Sequence, residues 1–75
     1  MSKYLYDLSP KEKEVYYLII NDIKGYSYKE LAKEMHITES TLKTHIDNIF
    51  QKMGINSRNE LIVKHYKNML DEGKN

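Results

Sequence analysis

The chain contains no cysteine, so it can form neither a disulfide nor a thiolate zinc site, which suits a reducing cytoplasm. It has no apolar run long enough to span a bilayer, and residues 1–7 lack the apolar core of a signal peptide. A soluble cytoplasmic protein without membrane association is expected. Glycine occurs three times and never in a phosphate-cradling loop. No nucleophile–base pattern is present either, so an enzyme is not expected, nor a cofactor or small-molecule ligand. Repeats, low-complexity tracts and strand-like alternation are all missing. So is a large charge of one sign: the net charge is +1, a weak credential for a nucleic-acid binder. Its distribution is less even than its total. Residues 41–67 hold five basic side chains (Lys43, Lys52, Arg58, Lys64 and Lys67) against two acids (Asp47 and Glu60), whereas residues 1–40 hold six lysines against seven acids. The positive field lies on the C-terminal part.

With 75 residues the chain allows one domain, residues 1–75, whose core is small enough that burial against a second copy would help. It begins with Met and a complete first helix, which reads as a self-contained module. Control is then expected from the protein's abundance or from a partner, not from a preceding receiver or sensing domain.

Helix starts are marked clearly. Ser9-Pro-Lys-Glu12, Ser27-Tyr-Lys-Glu30 and Ser57-Arg-Asn-Glu60 each fit the capping box, in which Ser accepts from the N3 amide and Glu reaches back. Pro10 falls at N1, where its missing N–H costs nothing. Thr38 supplies a fourth N-cap. The first helix is expected over 10–24, with Val15, Leu18, Ile19 and Ile23 facing the core and Gly25 at the C′ position. A short second helix follows Ser27 and ends near Met35, with Leu31, Ala32 and Met35 inward. His36 falls in a turn where a left-handed residue is often needed. The third helix, 39–53, buries Leu42, Ile46, Ile49, Phe50 and Met53, and Gly54 ends it. The fourth, 58–70, carries two apolar strips. Leu61, Ile62, His65 and Met69 form one; Val63, Tyr66 and Leu70 form another, which the small core has no room to cover. The ends, 1–7 and 71–75, are expected to fray.

The third helix also carries a polar stripe of Lys43, Thr44, Asp47, Asn48 and Gln51, side chains that hydrogen-bond base edges and phosphates. Two helices joined by a tight link, the second bearing such a stripe, describe a DNA-binding helix-turn-helix.

The segments Leu8-Ser-Pro-Lys-Glu-Lys-Glu-Val15, Tyr28-Lys-Glu-Leu-Ala32 and Ile37-Thr-Glu-Ser-Thr-Leu-Lys-Thr-His45 carry a further signal, with Asn48-Ile49, Lys52-Met-Gly-Ile55 and Arg58 after them. Together they resemble the LuxR/GerE-type helix-turn-helix over nearly the whole chain, stand-alone and GerE-like. The resemblance implies an all-α, four-helix domain: a scaffold helix at 10–24, the helix-turn-helix at 27–53 and a C-terminal dimerisation helix at 58–70. It also implies that the third helix enters the major groove, with Lys43, Thr44 and Asp47 facing bases. Two features depart from the pattern. About three extra residues between Leu18 and Gly25 predict a first helix longer by nearly a turn. That spacing and the wording Gly25-Tyr-Ser-Tyr-Lys-Glu-Leu-Ala32 are also similar to region 4 of sigma factors, although Thr44-His-Ile-Asp-Asn-Ile49 and the fourth helix favour the LuxR/GerE side. Asp47 is the second departure, where the family often has a basic or neutral reader. An acid there either accepts from a cytosine N4 amine or lowers non-specific binding.

Base-reading candidates are therefore Lys43, Thr44, Asp47 and Asn48. Phosphate candidates are Tyr28, Lys29, Ser40, Thr41, Gln51, Lys52 and Arg58, with capping or core-edge pairing an equal alternative for Arg58. Dimerisation candidates are Val63, Tyr66, Lys67 and Leu70. The three histidines, His36, His45 and His65, lie in a turn and on two separate helices without metal-site spacing, so no metal is expected. Of the seven tyrosines, Tyr16, Tyr17 and Tyr66 read as core or interface, and Tyr4 and Tyr6 as packing under the first helix. The sequence thus predicts a homodimeric transcription regulator of double-stranded DNA, with RNA polymerase as a further partner if it activates. A protein-binding module docking on RNA polymerase or another regulator is the alternative, together with a detached sigma-region-4-like domain.

Overall fold

A computed structural model describes residues 7–22 and 24–73, with side chains described as far as residue 70. Four helices follow one another: α1 (Pro10–Ile20), α2 (Tyr28–Met35), α3 (Glu39–Met53) and α4 (Arg58–Gly73). No strand occurs among the described residues. The architecture is the all-α, four-helix arrangement expected.

The helix starts follow the capping chemistry in the sequence. Ser9 accepts from the Glu12 amide while Glu12 accepts from the Ser9 amide, and Ser27 and Glu30 repeat the arrangement. The third box is only half formed. Ser57 Oγ accepts from the Glu60 amide at 3.1 Å, but the Glu60 carboxylate takes the amide of Asn56, one residue earlier than the pattern requires. Two helix ends are also written locally. His36 and Gly54 both adopt left-handed conformations, with φ of 59° and 69°. In each case the next residue but one past the helix donates back to a carbonyl in its last turn: Ile37 to Ala32 and Ile55 to Phe50, both at 3.0 Å. The turn between α2 and α3 is therefore three residues long and fixed by hydrogen bonds.

The first helix is shorter than its sequence suggests. It ends at Ile20 rather than at residue 24, and its C-cap is Asn21. The extra residues lengthen a loop, not the helix. Gly25 has a φ of +72°, but it sits within that loop, several residues past the helix end. The physical reason lies in Asp22, whose carboxylate accepts from the backbone amides of Lys24 and Tyr26 and so offers the chain a turn in place of another helical turn. Ile23, Tyr4 and Tyr6 lie outside the described residues. At the other end, α4 continues to Gly73, beyond the expected stop at residue 70.

The core is a single cluster. Val15, Tyr16 and Ile19 from α1, Leu31 and Ala32 from α2, Leu42, Ile46, Ile49 and Met53 from α3, and Leu61 from α4 are all buried, with Leu8 and Ile55 closing its edges. Leu18, Met35 and Phe50 pack against it half-buried. α3 packs against both α1 and α2, so it is fixed along its inner side, and α4 packs against α1. Tyr16, which shows no exposed surface, places its hydroxyl 2.8 Å from Nδ1 of the buried His65 and so joins α1 to α4. Past His65 the first apolar strip of α4 leaves the core. Met69 is 47% exposed, where the sequence placed it with the buried residues.

Candidate nucleic-acid interface

The two sides of α3 divide cleanly. Leu42, Ile46, Ile49 and Met53 are buried, while Ser40, Thr41, Lys43, Thr44, Asp47, Asn48 and Gln51 are exposed. The helical period places 40, 43, 44, 47, 48 and 51 along one outward stripe. Nothing described on the protein's own body covers that stripe, and the buried side fixes its direction.

Local bonds organise the stripe. Thr38 caps α3 by accepting from the Thr41 amide at 3.1 Å and donating to the Thr41 hydroxyl at 2.8 Å. The Thr44 hydroxyl donates to the Ser40 carbonyl one turn back, at 3.1 Å, so its proton is already committed to the backbone. Lys43 lies 3.3 Å from Glu39, one turn towards the helix start, with both side chains about half exposed. Such an exposed pair is weak and exchanges readily for a stronger anionic partner.

The flanking phosphate candidates separate into two groups. Lys29 is exposed on the first turn of α2. Lys52 and Arg58, by contrast, are held by the protein itself. Lys52 Nζ lies 2.8 Å from the Glu12 carboxylate, joining the end of α3 to the start of α1. That hydrogen bond, together with the one from the Ser9 amide, holds the Glu12 carboxyl below its ordinary value against the opposing effect of burial. Arg58 donates to the Asp22 carboxylate at 2.6 Å and to the Tyr26 carbonyl at 2.7 Å. Its guanidinium also lies over the Tyr28 ring, 5.5 Å from the centroid. Tyr28 is half-buried beneath it, at the first position of α2. The core-edge alternative for Arg58 is therefore the one the structure displays.

Sequence reasoning offered core-edge pairing for Arg58 but found the partner of neither residue. Glu12 was visible only as a capping residue and Asp22 not at all. Their partners lie 40 and 36 residues away, and no local pattern encodes such a pairing.

On α4, Val63, Tyr66 and Leu70 are 65%, 49% and 68% exposed, and Lys67 is exposed beside them. Val63 and Lys67 border a shallow groove of about 550 Å³ that also takes in Ile55. The second apolar strip thus remains uncovered within one chain. His36 and His45 are separated from His65, and among the described residues no group of three His, Asp or Glu side chains is placed to hold a metal. Among the described residues no helix is long and apolar enough to cross a membrane.

A short helix, a three-residue turn and a longer helix with an outward polar stripe, braced by a helix on either side, define a helix-turn-helix regulatory domain. The chain belongs to the luxR family of bacterial regulatory proteins, whose GerE family model matches residues 6–65. It is 37% identical over 57 residues to the spore germination protein GerE of Bacillus subtilis, a match covering 76% of this chain and 73% of GerE. It is 38% identical over 66 residues to the transcriptional regulatory protein DegU of Brevibacillus brevis, covering 88% of this chain and 27% of DegU. The response regulator protein VraR of Staphylococcus aureus is 37% identical over 63 residues, covering 84% of this chain and 29% of VraR. The chain thus spans most of GerE but under a third of DegU and VraR. No solved structure matches it.

Proposed function

We propose that this chain is a sequence-specific, double-stranded-DNA-binding transcription regulator that acts as a homodimer in the cytoplasm, with α3 in the major groove. The observation that carries the reading is the outward stripe of α3, whose opposite side is locked into the core. Lys43, Thr44, Asp47 and Asn48 face base edges. Tyr28, Lys29, Ser40, Thr41 and Gln51 contact phosphates, assisted by the positive end of α3. Lys52 and Arg58 mainly hold the frame. Val63, Tyr66, Lys67 and Leu70 of α4 meet their counterparts in the second copy, so the dimer spans two half-sites about one helical turn apart. Contact with RNA polymerase would make the protein an activator; occlusion alone would make it a repressor.

The test is selection from a random duplex pool, followed by binding across a salt series. Enrichment of a two-fold-related site and a steep fall in affinity with salt support the reading, because each neutralised phosphate adds about 0.9 to the logarithmic slope. No complex at low ionic strength sinks it.

The small net charge favours one competitor, a module that docks on RNA polymerase or another regulator. Such a module would show no steep salt dependence on DNA. A sigma-region-4-like domain would elute as a monomer.

A further inference from the structure

We infer that Asp47 specifies a cytosine, its carboxylate accepting a hydrogen bond from the N4 amine at one position of each half-site. The inference rests on the groove reading of α3 given above.

Asp47 stands on the exposed stripe between Thr44 and Asn48 on one side and Gln51 on the other. Lys43 and Asp47 are one helical turn apart and could pair, yet the Lys43 ammonium turns the other way, to Glu39 at 3.3 Å. Among the described residues the Asp47 carboxylate has no hydrogen-bond or ion-pair partner. Both of its oxygens are open, in the middle of the surface that meets DNA.

A carboxylate carried into a groove walled by phosphates loses water and gains only repulsion, unless a donor meets it. The chain has little positive charge to offset this, at +1 overall. The major groove offers two amine donors, cytosine N4 and adenine N6. They are not equivalent to an acid. Adenine sets its amine beside N7, an acceptor, which faces the second carboxylate oxygen lone pair to lone pair. An ionised carboxylate only accepts and cannot satisfy N7. Cytosine presents its amine beside a C–H. The acceptor-only side chain therefore fits cytosine, whereas an amide, with one donor and one acceptor, fits adenine.

This predicts a switch in specificity, not merely a loss. The wild-type chain and its Asp47→Asn and Asp47→Ala variants are each used to select sites from one random duplex pool. Circular dichroism on the same samples checks that the helices are retained. Wild type should favour cytosine at one half-site position by about tenfold or more. Asp47→Asn should move that position to adenine, and Asp47→Ala should flatten it, with every other position unchanged. A wild-type site whose base preferences are the same in all three proteins overturns the cytosine assignment and leaves the groove reading standing. A uniform rise in affinity for every duplex in Asp47→Ala, with no position altered, overturns it too, since Asp47 would then only repel phosphate. No enrichment by wild type overturns the groove reading itself.

Discussion

The Arg58 guanidinium meets the Asp22 carboxylate at 2.6 Å, across 36 residues of chain. The Asp22 side chain is almost wholly buried, 5% exposed, and that of Arg58 is three-quarters covered. The same carboxylate accepts from the Tyr26 amide, and the same guanidinium donates to the Tyr26 carbonyl. One ion pair therefore fixes the loop that leads into α2 and anchors the first turn of α4 to it. The extra residues after Leu18 become a clamp for the helix-turn-helix instead of a longer scaffold helix.

Removing one side of this pair should leave a covered charge without its partner. Arg58→Ala is expected to cost about 2–4 kcal/mol, seen as a lower urea midpoint with an unchanged slope. Arg58→Lys should recover only part of this, because an ammonium cannot span both acceptors with the planar fork of arginine. A loss below about 0.5 kcal/mol for Arg58→Ala, the range of ordinary surface substitutions, would show that the clamp is dispensable.

The Glu12–Lys52 bond sets an acid limit. Glu12 is held below its ordinary value of 4.5 in the folded chain, chiefly by the Lys52 hydrogen bond, so unfolding raises its affinity for protons. Its contribution is complete above pH 4.5 and is lost as pH falls through the lower, folded value. Glu12→Gln should be less stable than wild type at pH 7, and the gap should narrow on acidification. Parallel stability curves from pH 7 to pH 3 would remove Glu12 from the acid response.

His65 acts in the same direction at higher pH. Burial lowers its affinity for protons below the ordinary value of 6.5, so the folded chain keeps the ring neutral beside the Tyr16 hydroxyl. Above pH 6.5 both states are neutral and His65 adds no slope. As pH falls below that value the unfolded chain takes the proton first, and stability drops by at most about 1.4 kcal/mol per pH unit. His65→Gln should lower stability at pH 7.5 yet lose less on moving to pH 5.5. Equal losses in the two proteins would mean that another group governs that range.

Lys43→Ala should weaken binding to the selected site by about 1–3 kcal/mol if the lysine meets a guanine edge. The melting temperature should hardly move, because the side chain is exposed and its pairing with Glu39 is weak. An unchanged site preference in competition assays would take Lys43 out of base reading.

Tyr66→Asp places a charge on the uncovered strip of α4. If that strip forms the dimer, the variant should elute as a monomer and bind the selected site with a weaker, less cooperative isotherm. A wild-type elution volume would move the interface elsewhere.

Local chemistry in the sequence determined the element starts, two of the four helix ends and which helix carries the outward polar stripe. A serine cap accepts from an amide three residues on, a left-handed His36 or Gly54 stops a helix in place, and a 3.6-residue period divides buried Leu42, Ile46 and Ile49 from exposed Lys43, Asp47 and Asn48. These interactions span a few residues, so the order of the chain contains them. The engagement of Lys52 and Arg58 was decided only by the tertiary structure. Each depends on which charge arrives from 36 or 40 residues away. An ion pair between distant segments has no period and no fixed spacing along the chain, and it exists only once packing has brought its two ends together.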